Sequence, residues 1–295
     1  MTTHASVLTS LAQKSRRAWL MVREAGNNWF DDNASRLAAA LAYYTLLSVA
    51  PLLVIAVSIA GLVFGPDAAR GRISAELLNL VGPQAAETIQ AILANANAPY
   101  AGIFGSAVGI VILLIGASGV FGELQSALNI IWKVPPSSSS GISALLKERF
   151  FSFAMVLGVA FLLLVSLVVS AGIGAAGGVL QDSLAGGEFL WQVLNLLLSL
   201  AITSGLFALI FKVVPDVPVA WRDVWLGAIV TACLFTLGKF LLGLYLGKAM
   251  ISSAYGAAGS AVVFVVWVYY SAQILLLGAE FTCVYAKHMS QSPTA

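Results

Sequence analysis

The sequence predicts an all-α fold: a polytopic membrane protein with six transmembrane helices, an N-terminal interfacial helix and a helical hairpin on the outer face. Composition sets the class. Of 295 residues 60% are hydrophobic and only 9% are charged, whereas a soluble domain carries roughly 25% charged residues. Length sets the element type. Apolar runs long enough to cross a bilayer core, which takes ~20 residues in a helix, recur at about 36–64, 103–122, 150–176, 190–213, 224–246 and 260–286.

Residues 1–33 read as a cytoplasmic amphipathic helix. Leu8, Leu11, Ala18, Trp19, Val22 and Trp29 share one face, while Lys14, Arg16, Arg17 and Arg23 lie off it, as on an anionic membrane surface or a docked helix. Asp31, Asp32 and Asn33 supply capping groups for the first span. That span opens with Arg36 and carries no further charge up to Phe64. Pro51 near its middle has no N–H to give Leu47, which predicts a kink. Ahead of it lie Tyr43, Tyr44, Thr45 and Ser48, a density of hydroxyls that reads either as bonding within the bundle or as the lining of a cavity.

Residues 65–102 hold two short amphipathic pieces split by Gly82-Pro83, a hairpin outside the membrane that caps the bundle or closes as a lid. The second span carries Gly105-x-x-x-Gly109 for close helix contact. It continues through Glu123, Gln125 and Asn129 to Trp132, a half so polar that it breaks in the membrane or leaves it. Pro135-Pro136 and Ser137–Ser140 form a linker. The third span ends in Gly172-Ile173-Gly174-Ala175-Ala176-Gly177, a formal dinucleotide fingerprint. A membrane helix precedes it where that motif needs a strand, so a glycine-rich helix end accounts for it. Spans four to six follow, with Gly243-x-x-x-Gly247 in the fifth and a polar tail over 288–295.

Six spans put both termini on one side. Eleven basic residues flank the spans on that side, three lie opposite (Arg70, Arg72 and Lys248), and Lys239 is within span five. The positive-inside rule makes both termini cytoplasmic. Trp19, Trp29, Trp132, Trp191, Trp221 and Trp225 fall near span ends, as an aromatic belt would. Cys233 and Cys283 lie in apolar segments and read as small buried thiols.

Ionisable groups inside spans are costly and mark candidate sites. Here they are Lys239 and Glu280. Counted from the span ends, their depths differ by roughly 14 Å, so they do not pair. Lys239 snorkels outward or meets a polar cavity, and Glu280 pairs with a cytoplasmic-side cation such as Arg36, Lys212 or Arg222. Arg36, Tyr43, Tyr44, Ser48, Pro51, Asn129, Lys239, Gln273 and Glu280 are the candidate cavity residues. With Arg36 at the cytoplasmic end, the hydroxyls and the acid are expected to share one cytoplasm-facing site. Enzyme chemistry finds no footing: the two histidines, His4 and His288, are terminal, and no HExxH is present. No cofactor, metal or nucleic acid is called for, because the basic residues track the membrane face.

The chain resembles the bacterial inner-membrane family called YihY or virulence factor BrkB. The resemblance rests on Leu41–Pro51, Glu123–Trp132, Val214–Val217, Trp225–Ala228, Lys239-Phe240, Ser253–Gly256, Trp267–Gln273 and Gly278–Phe281, and covers about residues 30–287. It implies six helices and cytoplasmic termini, and no established reaction. The family has carried the name ribonuclease BN, but this sequence offers no nuclease site. The expected function is a transporter or translocator of a lipid or other amphipathic envelope compound, with membrane lipids as partners. The alternative is a structural or assembly partner of other envelope proteins. Neither reading fixes an oligomeric state.

Overall fold

The computed structural model describes residues 2–65, 119–135, 187–248 and 259–290, and these are helical throughout apart from short turns. The expected hairpin at 65–102, the third span, most of the second and the linker after Pro135 lie outside the described residues. The helices are α1 (Thr2–Asp31), α2 (Ala34–Phe64), α3 (119–131), α4 (Gly187–Val213), α5 (Trp221–Lys248) and α6 (Gly259–Ser290). Three described stretches are long and apolar enough to cross a membrane: Leu196–Val213, Trp221–Leu242 and Ala261–Met289.

α5 and α6 pack antiparallel along a seam with no room for an added methyl group. A Cβ at Gly227 would lie 1.8 Å from Thr282 Oγ1, and one at Gly278 would lie 1.9 Å from Thr231 Oγ1. The two contacts are reciprocal, because each helix carries Gly-Ala-x-x-Thr: Gly227–Thr231 on α5 and Gly278–Thr282 on α6. Further along α5, Gly238 sits under Tyr270 and Ile274. Apolar side chains gain little by leaving lipid for a helix interface, so close backbone approach is what holds such pairs.

The hydroxyls on these helices are satisfied locally. Thr231 and Thr282 each donate to the carbonyl four residues back, Gly227 and Gly278, at 2.7 Å. Thr45, Ser204, Thr236 and Ser271 do the same to Leu41, Leu200, Ala232 and Trp267. A polar side chain bonded to its own helix can sit in a dry environment at little cost. α4 joins the pair through an aromatic ladder. Phe207 meets Phe235 edge-on at 5.7 Å, and Phe235 meets Trp267 at 6.1 Å.

The core lies where α2, α3, α4, α5 and α6 converge, with Leu128, Ile131, Phe211 and Leu276 fully buried. α2 continues through Pro51 as one helix. α1 docks on α6 and α2 through Ala25 and Trp29, whereas Trp19 and Val22, expected on the same face, are exposed. Trp29 and Trp132 likewise leave the expected aromatic belt to pack against the core, and Trp221 and Trp225 remain outside. Cys283 is buried as expected and its thiol approaches the Ile131 carbonyl at 3.6 Å, but Cys233 is exposed.

The seam yields a mutational expectation. Gly227→Ala lowers the stability of the detergent-solubilised protein by ~1–3 kcal/mol, the usual cost of overpacking. Adding Thr282→Ala recovers part of that loss, since the nearest contact then relaxes from 1.8 Å to 2.8 Å. Gly205→Ala, with nothing within 4 Å of the new methyl group, leaves the melting curve unchanged or raised. Thermal unfolding followed by circular dichroism reads all three.

Candidate functional site

The short turn between α1 and α2 is built on Asn33, whose φ of 52° places it in the left-handed region that Asn tolerates. Its N–H bonds the Phe30 carbonyl at 3.1 Å and closes α1, while its own carbonyl accepts from Arg36 and Leu37 and opens α2. The preceding residue, Asp32, is thereby turned inward. The Asp32 side chain is only 9% exposed and is ion-paired with Lys133. This replaces the capping role expected of it.

Lys133 arrives from α3 by a similar device. Its N–H bonds the Ile130 carbonyl and the Val134 N–H bonds the Asn129 carbonyl, which is the double closure of a Schellman turn. The residue that usually takes this place is glycine, yet here a lysine holds φ 54°. Among the described residues Asn33 and Lys133 are the only two non-glycine residues with positive φ, and they flank the same ion pair. A left-handed lysine costs about 1 kcal/mol of backbone strain, which the contact with Asp32 offsets.

Glu280 completes the group. It is 1% exposed and its carboxyl lies beside that of Asp32, with Lys133 and Lys287 near enough to act on it. The expected partners are elsewhere. Arg36 is exposed at the start of α2, and Lys212 donates to the Val219 carbonyl and lies over the Trp221 ring at 5.9 Å. Arg222 is exposed. The depth argument for Lys239 holds. The register of the seam places Glu280 between the Gly227 and Thr231 levels and Lys239 just past Gly238, roughly 15 Å away along the helix axes.

The other candidates do not gather around Glu280. Tyr44 and the buried Ser48 pack beside Gly119 at the start of α3, 3.4 Å and 3.7 Å from where its Cβ would be. Lys133 stands beyond the far end of α3, so hydroxyls and acid are roughly 20 Å apart along that helix. Tyr43 is 59% exposed and meets Tyr44 edge-on. Asn129 clamps the turn between α4 and α5: its amide donates to Asp216 Oδ2 at 2.7 Å and its oxygen accepts from the Asp216 N–H at 2.9 Å. Gln125, one turn earlier, donates to the same carboxylate. The side chain of Pro51 lies outside the described residues.

Gln273 belongs to a separate feature, a cavity of about 430 Å³ between α1, α5 and α6. Trp29 and Phe30 of α1, Leu234 and Leu237 of α5, and Tyr270 and Gln273 of α6 line it, and Gly26 opens onto it. Phe30, Leu237 and Leu241 are exposed, so its mouth is apolar. Lys239 is outside the lining although Gly238 and Leu241 contribute to it. Gln273 Oε1 and Trp29 Nε1 are buried without a hydrogen-bond partner among the described residues. Gln273 and Glu280 are seven residues apart and so share one face of α6, roughly 10 Å apart along the axis. Sequence reasoning missed Asp32, Lys133 and Trp29. The legible signal was an acid and a lysine each set immediately at a helix end.

Two substitutions separate backbone strain from charge at Lys133. Lys133→Ala removes the ion pair from a nearly buried carboxylate and destabilises the protein by ~1–3 kcal/mol. Lys133→Gly loses the same pair but relieves the left-handed backbone, and is more stable than the alanine variant by about 1 kcal/mol. Chemical denaturation in detergent measures the difference.

Comparison with known proteins places this architecture. A UPF0761 membrane protein of Rhodospirillum centenum is 28% identical over 267 residues, 89% of this chain and 56% of the relative. One of Verminephrobacter eiseniae is 30% identical over 85% of the chain and 58% of the relative. One of Pseudomonas aeruginosa is 29% identical over 85% and 59%. The chain thus spans under two thirds of the length of these curated relatives. No solved structure matches it. The family described as Virulence factor BrkB matches residues 26–295. With an all-helical fold, three membrane-length apolar helices and these relatives, the chain is a membrane protein that belongs to the Virulence factor BrkB family.

Proposed function

We propose that the protein crosses the bacterial inner membrane six times with both termini in the cytoplasm, and that it moves a lipid or other amphipathic envelope compound without chemical conversion. The supporting observation is the cavity between α1, α5 and α6. At about 430 Å³ it falls within the roughly 300–1,000 Å³ of small-ligand pockets. Its mouth is apolar and its wall carries one buried acceptor, Gln273 Oε1, and one buried donor, Trp29 Nε1, both without protein partners among the described residues. An acyl chain suits such a mouth, and an ester, amide or hydroxyl suits such a wall. The topology rests on the count of basic residues, eleven against three.

The alternative, a structural partner in the envelope, draws support from the Asn129–Asp216 clamp and the hydroxyls bonded to their own helices. There the polar groups hold the bundle together and do nothing else.

Filling the cavity separates the readings. A Cβ added at Gly26 would meet nothing within 4 Å, and the residue lines the cavity, so Gly26→Leu has room at its first carbon and places an apolar branch at the cavity. In liposomes carrying fluorescent phospholipids, the wild-type protein moves lipid between leaflets. Gly26→Leu and Gln273→Leu slow that movement several-fold with unchanged melting temperatures. Absence of movement by the wild type removes the lipid reading. A Gly26→Leu variant that still complements a knockout strain favours the structural one.

A further inference from the structure

We propose that Asp32 and Glu280 hold one exchangeable proton between their carboxyl groups, with Lys133 balancing the remaining negative charge. The assignment stands on the geometry at the α1–α2 turn and does not depend on what the neighbouring cavity carries.

An ionised carboxylate has only acceptors. Asp32 directs one oxygen to the Lys133 ammonium, and its Oδ2 is buried with no partner among the described residues. Glu280 Oε1 is buried in the same condition, and the two side chains are in contact. Two carboxylates facing each other leave acceptor against acceptor and like charge against like charge. One proton removes both faults at once: it turns one carboxyl into a donor for the other. Burial argues the same way: Glu280 is 1% exposed, while Lys133 and Lys287, the cations that act on it, are both solvent-exposed, so a second ionised carboxylate there is poorly compensated.

The titratable groups facing Glu280 come from three directions. Asp32 arrives from the α1–α2 turn, Lys133 from the end of α3, and Cys283 and Lys287 from its own helix. Cys283 directs its thiol to the Ile131 carbonyl, and Lys287 is exposed. Neither supplies the buried donor that Glu280 Oε1 requires. Because the proton belongs to the pair, it is assigned to neither residue alone. Its loss puts two negative charges in contact and pushes α6 from the α1–α2 turn, next to the cavity that α6 and α1 wall through Gln273 and Trp29.

Infrared spectroscopy of the full chain in lipid nanodiscs at neutral pH tests this directly. A protonated carboxyl gives a C=O stretching band that moves to lower frequency in D2O. The wild-type minus Glu280→Gln difference spectrum is expected to show one such band, lost in the variant. Glutamine donates where the shared proton would, so this variant folds with an unchanged melting temperature. Asp32→Asn removes the same band; should it fail to fold, the glutamine variant alone decides. Absence of a carboxylic band from the difference spectrum of the folded Glu280→Gln variant overturns the proposal. So does its disappearance from the wild type on adding sodium or potassium, which makes a metal cation the occupant.

Discussion

The reciprocal contact of Gly227 with Thr282 and of Gly278 with Thr231 is the constraint on which the described helices depend. It leaves no free translation between α5 and α6. A slide of one residue would drive a threonine hydroxyl into a neighbouring side chain where glycine now gives way. The same hydroxyls are held by carbonyls one turn back, so they act as shaped, neutral knobs. This register then places everything else on α6: Gln273 opposite Gly238 and Leu237, Glu280 level with the α1–α2 turn, and Cys283 against the end of α3. Fixed depth is what allows a buried acid to meet the same neighbours in every molecule.

The polar groups of the bundle fall into two kinds by how they are satisfied. The threonines and serines of α2, α4, α5 and α6 that bond within their own helix ask nothing of their neighbours. Asn129 and Gln125 bond across, and together occupy both carboxylate oxygens and the N–H of Asp216. These groups are structural by their geometry. Against that background Glu280, Asp32, Gln273, Trp29 and Trp132 stand out, each with a buried polar atom lacking a partner among the described residues. The first four lie where the end of α1 and the α1–α2 turn meet α6, and Trp132 directly follows the end of α3, next to Lys133.

Much of the fold was legible in the sequence, because length and composition govern it. The helical class, the apolar stretches of α4, α5 and α6 and the separation of Lys239 from Glu280 all follow from a rise of ~1.5 Å per residue. What escaped depends on side-chain direction and on contacts distant in the chain. For close helix packing the sequence offers glycine pairs four apart. The seam instead uses a glycine and a threonine four apart on each helix, with each glycine opposite the other helix's threonine. Opposite charges attract, which points Glu280 to a cation; an acid beside a second acid does not follow from that rule, and Lys133 is in the sequence one of the eleven basic residues that mark topology. The hydroxyls of α2 pointed to Glu280 by shared depth, yet the length of α3 stands between them.

Asn33 closes one helix and opens the next, so α1 and α2 meet at a joint of two residues, Asp32 and Asn33. α1 has 30 residues, a rod of roughly 45 Å. The last turns of that rod are docked on α6 and α2 through Ala25 and Trp29, while residues 15–20 are exposed. A displacement of the exposed part is therefore taken up at the docked turns, and the Asp32–Lys133–Glu280 contact behind them is sheltered from it.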